Sequence, residues 1–230
     1  MALRIERHHQ VARRALLAFL TLLTAGAPGV VADEAGDAPF ADVHQHYKWN
    51  QTEVTSTESA IALLREQNIG LAVVTGTPPE LALDLARAAP DLVVPIYGIY
   101  RTSGEWSRWP YDEELLTRVR TALETGDYRG IGEVHMIGGF IPQWDHPTIA
   151  GLFTLAAEFD VPVLLHTEFS RANYLVGICT AHPGTRFLWA HAGTMVPPTE
   201  VDRALAECPN VWVELSARDP WRYVHSPIAD

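Results

Sequence analysis

Seven short apolar runs, separated by longer segments of helical period, leave this chain few folds to choose from. The runs are PFADVHQH (39–46), GLAVVTG (70–76), LVVPIYGIY (92–100), YRGIGEVH (128–135), VPVLLHTE (161–168), TRFLWAHAG (185–193) and NVWVELSA (210–217). Each is rich in Val, Ile, Leu or aromatic residues and bounded by Gly, Pro, Asn or Asp, as strands buried on both faces are. Between them lie segments such as TESAIALLREQN, PPELALDLARAA, DEELLTRVRTALETG, HPTIAGLFTLAAEF and PPTEVDRALAEC. Their apolar residues recur at three and four positions, and several start with Thr, Pro or acidic residues suited to a helix N-terminus. Repeated strand–helix alternation predicts a parallel sheet with helical crossovers in one α/β domain.

Such a sheet is either open and doubly wound or closed as a (β/α)8 TIM-like barrel. An open sheet of the dinucleotide-binding kind carries a glycine-rich phosphate loop after its first strand. Here that place holds VHQHYKWNQ. The sequence therefore leans toward the barrel. His44 and His46 close the first run, Glu133 and His135 the fourth, His166 the fifth and His191 the sixth. In a barrel those C-terminal strand ends converge on one face, where active sites are built.

Any one of these histidines, taken alone, reads as hydrogen-bonded structure. Together they read as ligands: neutral imidazoles and a carboxylate suit zinc, and also manganese, iron or nickel, as one or two divalent ions in a catalytic site. Such an ion brings the pKa of water toward neutrality. Glu133 would bridge two ions, bind one, or take a proton. Asp42 alternates with His44 and His46 and would orient an imidazole or cap a buried polar network. His135 would contact substrate or support the ligands. Arg101, after the third run, would hold a substrate carboxylate in a bidentate fork, and Glu168, two residues beyond His166, would share its face. Trp106, Trp109 and Trp144 lie in loops on the same side, as pocket lining or as packing.

The first 32 residues differ from the rest. Arg4, Arg7, Arg13 and Arg14 precede the apolar run ALLAFLTLLTAGAPGVVA, which ends with Val30 and Ala32 at small-residue cleavage positions. This is a signal-peptide pattern, so export to the periplasm or the outside is expected, with a mature domain over 33–230 and no stable membrane insertion after cleavage. Without the four arginines and one glutamate of that leader, the formal charge goes from −11 to −14. Such a surface repels phosphate backbones, which argues against nucleic acid and for a small-molecule substrate. Cys179 and Cys208 are the only cysteines; they rule out a cysteine-based metal site, and whether they pair stays open.

The motifs DVHQH, GIGEVH, VPVLLH and FLWAHAG, in this order, resemble the amidohydrolase superfamily, specifically its amidohydrolase-related group, from about residue 40 to about residue 216. The resemblance implies metal ligation by His44, His46, Glu133, His166 and His191, with Glu133 and His191 also catalytic. It implies a metal-dependent hydrolase of an amide, lactone or ester-like bond. The same group includes nonoxidative decarboxylases and hydratases of aromatic or unsaturated acids. The family's eighth strand carries a metal-binding aspartate that has no counterpart among the seven runs; Asp219 and Asp230 are not on such a strand. The barrel is therefore expected to be incomplete. Its first and seventh strands would be open to pairing, compatible with a homo-oligomer. A catalytically inactive metal- or ligand-binding protein is the third reading.

Overall fold

The computed structural model describes residues 38–137, 141–167 and 170–218, which fall, apart from Ala38, in a compact unit over Pro39–Asp230. The expected leader lies outside the described residues, as do Glu168, Asp219 and Asp230.

All seven runs form strands: β1 (Phe40–Lys48), β2 (Ile69–Thr77), β3 (Val93–Ile96), β4 (Ile131–His135), β5 (Val163–His166), β6 (Phe187–Trp189) and β7 (Val211–Val213). A helix follows each of the first six: α1 (Thr57–Glu66), α2 (Glu80–Ala88), α3 (Leu115–Glu124), α4 (Pro147–Glu158), α5 (Ala172–Ala181) and α6 (Pro198–Glu207). Their starts are written locally. The Ser56 hydroxyl accepts from the Ser59 amide at the head of α1, and prolines open α4 and α6, where no amide donor is required. No described helix is long and apolar enough to cross a membrane.

Parallel ladders run β1-β2-β3 and β4-β5-β6-β7. A single parallel bridge, Tyr97 to Ile131, joins the two sets. There the Tyr97 amide donates to the Gly130 carbonyl at 2.8 Å and the Gly132 amide to the Tyr97 carbonyl at 2.9 Å. The seven strands thus stand side by side in chain order, as in the TIM barrel, but among the described residues no ladder closes β7 onto β1.

The middle strands, β3 to β6, are buried on both faces. Outward residues such as Val163, Leu165 and Phe187 pack with Phe153, Leu175 and Ile178 of the helices, while Ile96, Leu164 and Ala190 form a separate inner cluster with Val73 and Leu188. Gly132 is placed by this inner layer. A Cβ there would lie 2.7 Å from the Leu164 side chain and carbonyl, and its φ of +145° suits no other residue. The next residue, Glu133, is thereby set at the barrel mouth. Behind β5 and β6, Cys179 of α5 and Cys208, just after α6, form a disulfide across 29 residues of sequence. Closing a loop of that length contributes about 3–4 kcal/mol on the chain-entropy account.

Candidate metal centre

Glu133 is the hub of the barrel mouth. It is 4% exposed, and five imidazoles surround its two carboxylate oxygens. His166 Nδ1 lies 2.6 Å from Oε1, His44 Nε2 3.4 Å and His191 Nε2 3.6 Å; His46 Nε2 lies 3.3 Å and His135 Nε2 3.6 Å from Oε2. The rings of His44 and His191 stack at 4.8 Å, and those of His135 and His166 at 4.6 Å. The sequence-predicted residues His44, His46, Glu133, His135, His166 and His191 are therefore brought together by four strands.

A second carboxylate braces this cluster. Glu214, directly after β7 and 5% exposed, has Oε1 2.9 Å from His44 Nδ1, 3.3 Å from His191 Nδ1 and 2.5 Å from the His191 amide. Its Oε2 accepts from the Ser216 amide at 2.7 Å. His191 Nδ1 also meets the Ser216 carbonyl at 2.7 Å. Carboxylate and carbonyl oxygens only accept, so both rings keep a proton on Nδ1 and turn Nε2 toward Glu133. The Ser216 hydroxyl, 3.1 Å from His191 Nδ1, shares that nitrogen with the carboxylate. A serine–histidine–acid relay needs serine and acid on opposite nitrogens, so this is not one.

The turn that carries His191 is held open from the same segment. His191, Ala192 and Thr194 have φ of +57°, +43° and +46°, a left-handed conformation that costs about 1 kcal/mol or more for each residue with a side chain. Glu214 takes the His191 amide, and the buried Arg218 guanidinium donates to the carbonyls of Ala192 and Val196. On the far side, His135 Nδ1 and its main-chain amide both meet the Tyr100 hydroxyl, at 2.9 and 3.0 Å. Trp109 Nε1 donates to the His135 carbonyl at 3.2 Å.

Charge follows these contacts. Burial works against a charged His44, but hydrogen bonds and attraction from Glu133 and Glu214 outweigh it and raise its pKa to about 9. Glu133 is held far below the usual carboxylate range: burial opposes ionisation, and hydrogen bonds from His166, His191, His44 and His46 overcome it. Glu214 is likewise lowered, against burial, to about 2 by His44, Ser216 and the His191 amide. His191 is raised by Glu133. His135 goes the other way, to about 4, chiefly through burial. Burial also pushes Tyr100 far up, so its hydroxyl keeps its proton.

These donors fit a divalent ion. With Nδ1 committed elsewhere, an Nε2 facing a carboxylate is stable only with a proton or a cation between them, and a metal meets that need as the proton does. Two groups have ligand atoms within 4.8 Å of one another: His44, Glu133 and His191, and Glu133, His135 and His166. Nitrogen and carboxylate donors of this kind suit zinc, manganese or iron.

Other expected residues lie elsewhere. The ladder of β1 slips between Asp42 and Gln45, and Asp42 serves the His44 amide at 3.1 Å and the Gln45 side chain instead of an imidazole. Arg101 is exposed, 3.9 Å from Glu105 and 4.0 Å from Asp112. Trp109 is buried, Trp106 is 39% exposed, and Trp144 packs on Gly177 and Tyr174 of α5. Glu214, Ser216 and Tyr100 were not singled out from the sequence. Glu214 carried the usable sign, a carboxylate at the C-terminal end of a barrel strand.

The sequence profile of the amidohydrolase family matches residues 41–229. No curated protein sequence matches. Among solved structures, the chain is similar to a probable 2-pyrone-4,6-dicarboxylic acid hydrolase from Acinetobacter baumannii (TM-score 0.53, 16% identity, 79% of this chain and 71% of that one). It is similar also to 4-oxalomesaconate hydratase from Rhodopseudomonas palustris (0.54, 11%, 80% and 76%). A third is a dihydroxybenzoic acid decarboxylase from Polaromonas, solved with bound manganese (0.53, 10%, 81% and 81%). At these identities the likeness shows the fold, and the profile match over most of the chain shows the family: the protein is a member of the amidohydrolase family.

Proposed function

We propose that this chain is the metal-binding barrel of an exported hydrolase that cleaves an amide, lactone or ester-like bond of a small molecule. One observation carries the reading: a buried carboxylate, Glu133, with five imidazole nitrogens within 3.6 Å of it. A bound divalent ion, zinc before manganese, iron or nickel, would supply a polarised carbonyl and a water acidic enough to attack near neutral pH. His44, His46, Glu133, His166 and His191 would hold it. His44 and His191, locked by Glu214 and Ser216, would present Nε2 in one orientation. Glu133, ionised at any working pH, would accept the proton lost by the attacking water, and His191, 14% exposed at its side chain, would pass a proton from Nε2 to the leaving group in a site whose ion is held by the other four residues. The Cys179–Cys208 disulfide supports export, because such bonds persist in oxidising compartments.

A second reading, nonoxidative decarboxylation or hydration of an aromatic or unsaturated acid, is favoured by His135. Neutral and hydrogen-bonded to a protonated Tyr100, it is suited to deliver a proton to carbon. Elemental analysis of the purified protein beside a variant with His44 and His46 both changed to alanine tests the shared premise. Stoichiometric metal in the parent alone is expected. Metal-loaded protein is then assayed for amide, lactone and ester hydrolysis and for carbon dioxide release; activity in neither assay counts against both readings.

A further inference from the structure

Lys48 is the only lysine in the 230 residues; the other sixteen basic residues are arginines. It ends β1, where the ladder from Gln45 to Lys48 runs regularly against Val74 to Thr77. Lys48 therefore shares a face with His46. His46 and His135 are the most exposed of the five imidazoles, at 28% and 24% of their side chains, against 2–14% for the others, so this is the open side of the centre. Lys48 is half-buried, and its charge lies close enough to act on His135.

Of the other cations in the loops beyond the strands and the helix starts that follow them, Arg108 and Arg171 are exposed and three are already engaged. Arg101 faces Glu105 and Asp112, Arg118 faces Asp112, and Arg218 serves main-chain carbonyls. Among the described residues, no carboxylate lies within 4.0 Å of the Lys48 ammonium. The protein as a whole is strongly acidic, with a formal charge of −11, and such a field turns anions away. A half-buried cation at the opening reverses that sign locally. A lysine, as a compact charge on a flexible stem, can follow an anion whose position varies, which a fixed guanidinium fork does less readily.

We propose that Lys48 anchors a carboxylate of the substrate, so that the compounds this site takes are small organic acids with an anionic group next to the reacting bond. This rests on the metal-hydrolase reading above and names its substrate class.

A chain with one lysine allows a direct test. Metal-loaded protein is treated with N-succinimidyl acetate, with isophthalate or the uncharged isophthalamide present, and peptide mapping separates Lys48 from the N-terminal amine. Isophthalate is expected to slow acetylation of Lys48, and isophthalamide to leave it unchanged. By calorimetry, Lys48→Met should weaken isophthalate binding roughly tenfold or more, and Lys48→Arg should retain most of it. Equal protection by both compounds, no isophthalate binding to the metal-loaded parent, or an unchanged dissociation constant in Lys48→Met would each overturn the proposal. Metal content of the same samples separates the two readings: a parent without metal refutes the proposed function itself, whereas a metal-loaded parent acetylated at the same rate refutes only the role of Lys48.

Discussion

The two sides of Glu133 are built from the same residue types and behave oppositely. On one side, His44 and His191 direct Nδ1 at oxygens that only accept, those of Glu214 and Ser216. On the other, His135 directs Nδ1 at the Tyr100 hydroxyl, which both donates and accepts. His44 is raised to about 9 and His135 lowered to about 4, although burial works against the charged form of each and both face Glu133. Glu133 hydrogen-bonds His44 but only attracts His135 through space, and on the far nitrogen His44 meets a second carboxylate, Glu214, where His135 meets a phenol. A carboxylate there locks one tautomer and favours the cation; a phenol leaves a neutral ring free to move its proton.

The largest effect is expected from removing what the two sides share. Glu133→Gln should weaken zinc binding by more than about 100-fold, beyond the range for residues that only support ligands, as read by titration against a chelator. An ion retained at full occupancy would show that one side binds without the shared carboxylate. Glu214→Gln should weaken zinc binding about 10–100-fold, and proton titration by NMR should show His44 falling back toward the ordinary histidine range. If His44 stays high, Glu133 alone accounts for its charge and the contrast with His135 needs another cause.

Acidity sharpens the same contrast. His44 is raised from 6.5 to about 9, so its stabilisation of the metal-free protein is complete below about pH 6.5 and is lost as pH climbs through 9. His135 is lowered from 6.5 to about 4; the unfolded chain binds more protons over that interval, so stability rises with pH from 4 to 6.5. The melting temperature of metal-free protein should peak between pH 6 and 7. Zinc must displace the His44 proton, so its affinity should climb between pH 7 and 9 by up to about tenfold per unit. A flat affinity would mean that His44 is not a ligand. The smallest effect is expected from Tyr100→Phe: about threefold or less on zinc affinity, with a larger loss in any carbon dioxide release, since only that side loses its proton route.

Much of this was legible in the chain because the physical signs are local. β4 and β5 announce themselves through branched residues between turn formers, and their order follows from the crossovers. Convergence of His44, Glu133, His166 and His191 follows from one rule about strand ends. Glu214 was harder to see, since a carboxylate after the alternating run VWV reads equally well as a solvated strand end, and only its distance to His44 separates the two. The role of Asp42 was misleading for a related reason: strict alternation assumes a regular ladder, and β1 slips before Gln45. Two cysteines 29 apart carry no sign of pairing until α5 and α6 are seen to place their Cα atoms 5.9 Å apart.

The bond between Glu214 and His44 joins residues 170 positions apart. Loop-closure entropy makes so distant a contact among the last to form. The ligand set on the braced side is therefore unfinished until the seventh strand has docked and delivered its carboxylate to the first. Metal uptake by a refolding chain should accordingly coincide with its slowest step, with secondary structure already present, and the ion would act as a latch on the finished barrel and not as a seed for its assembly.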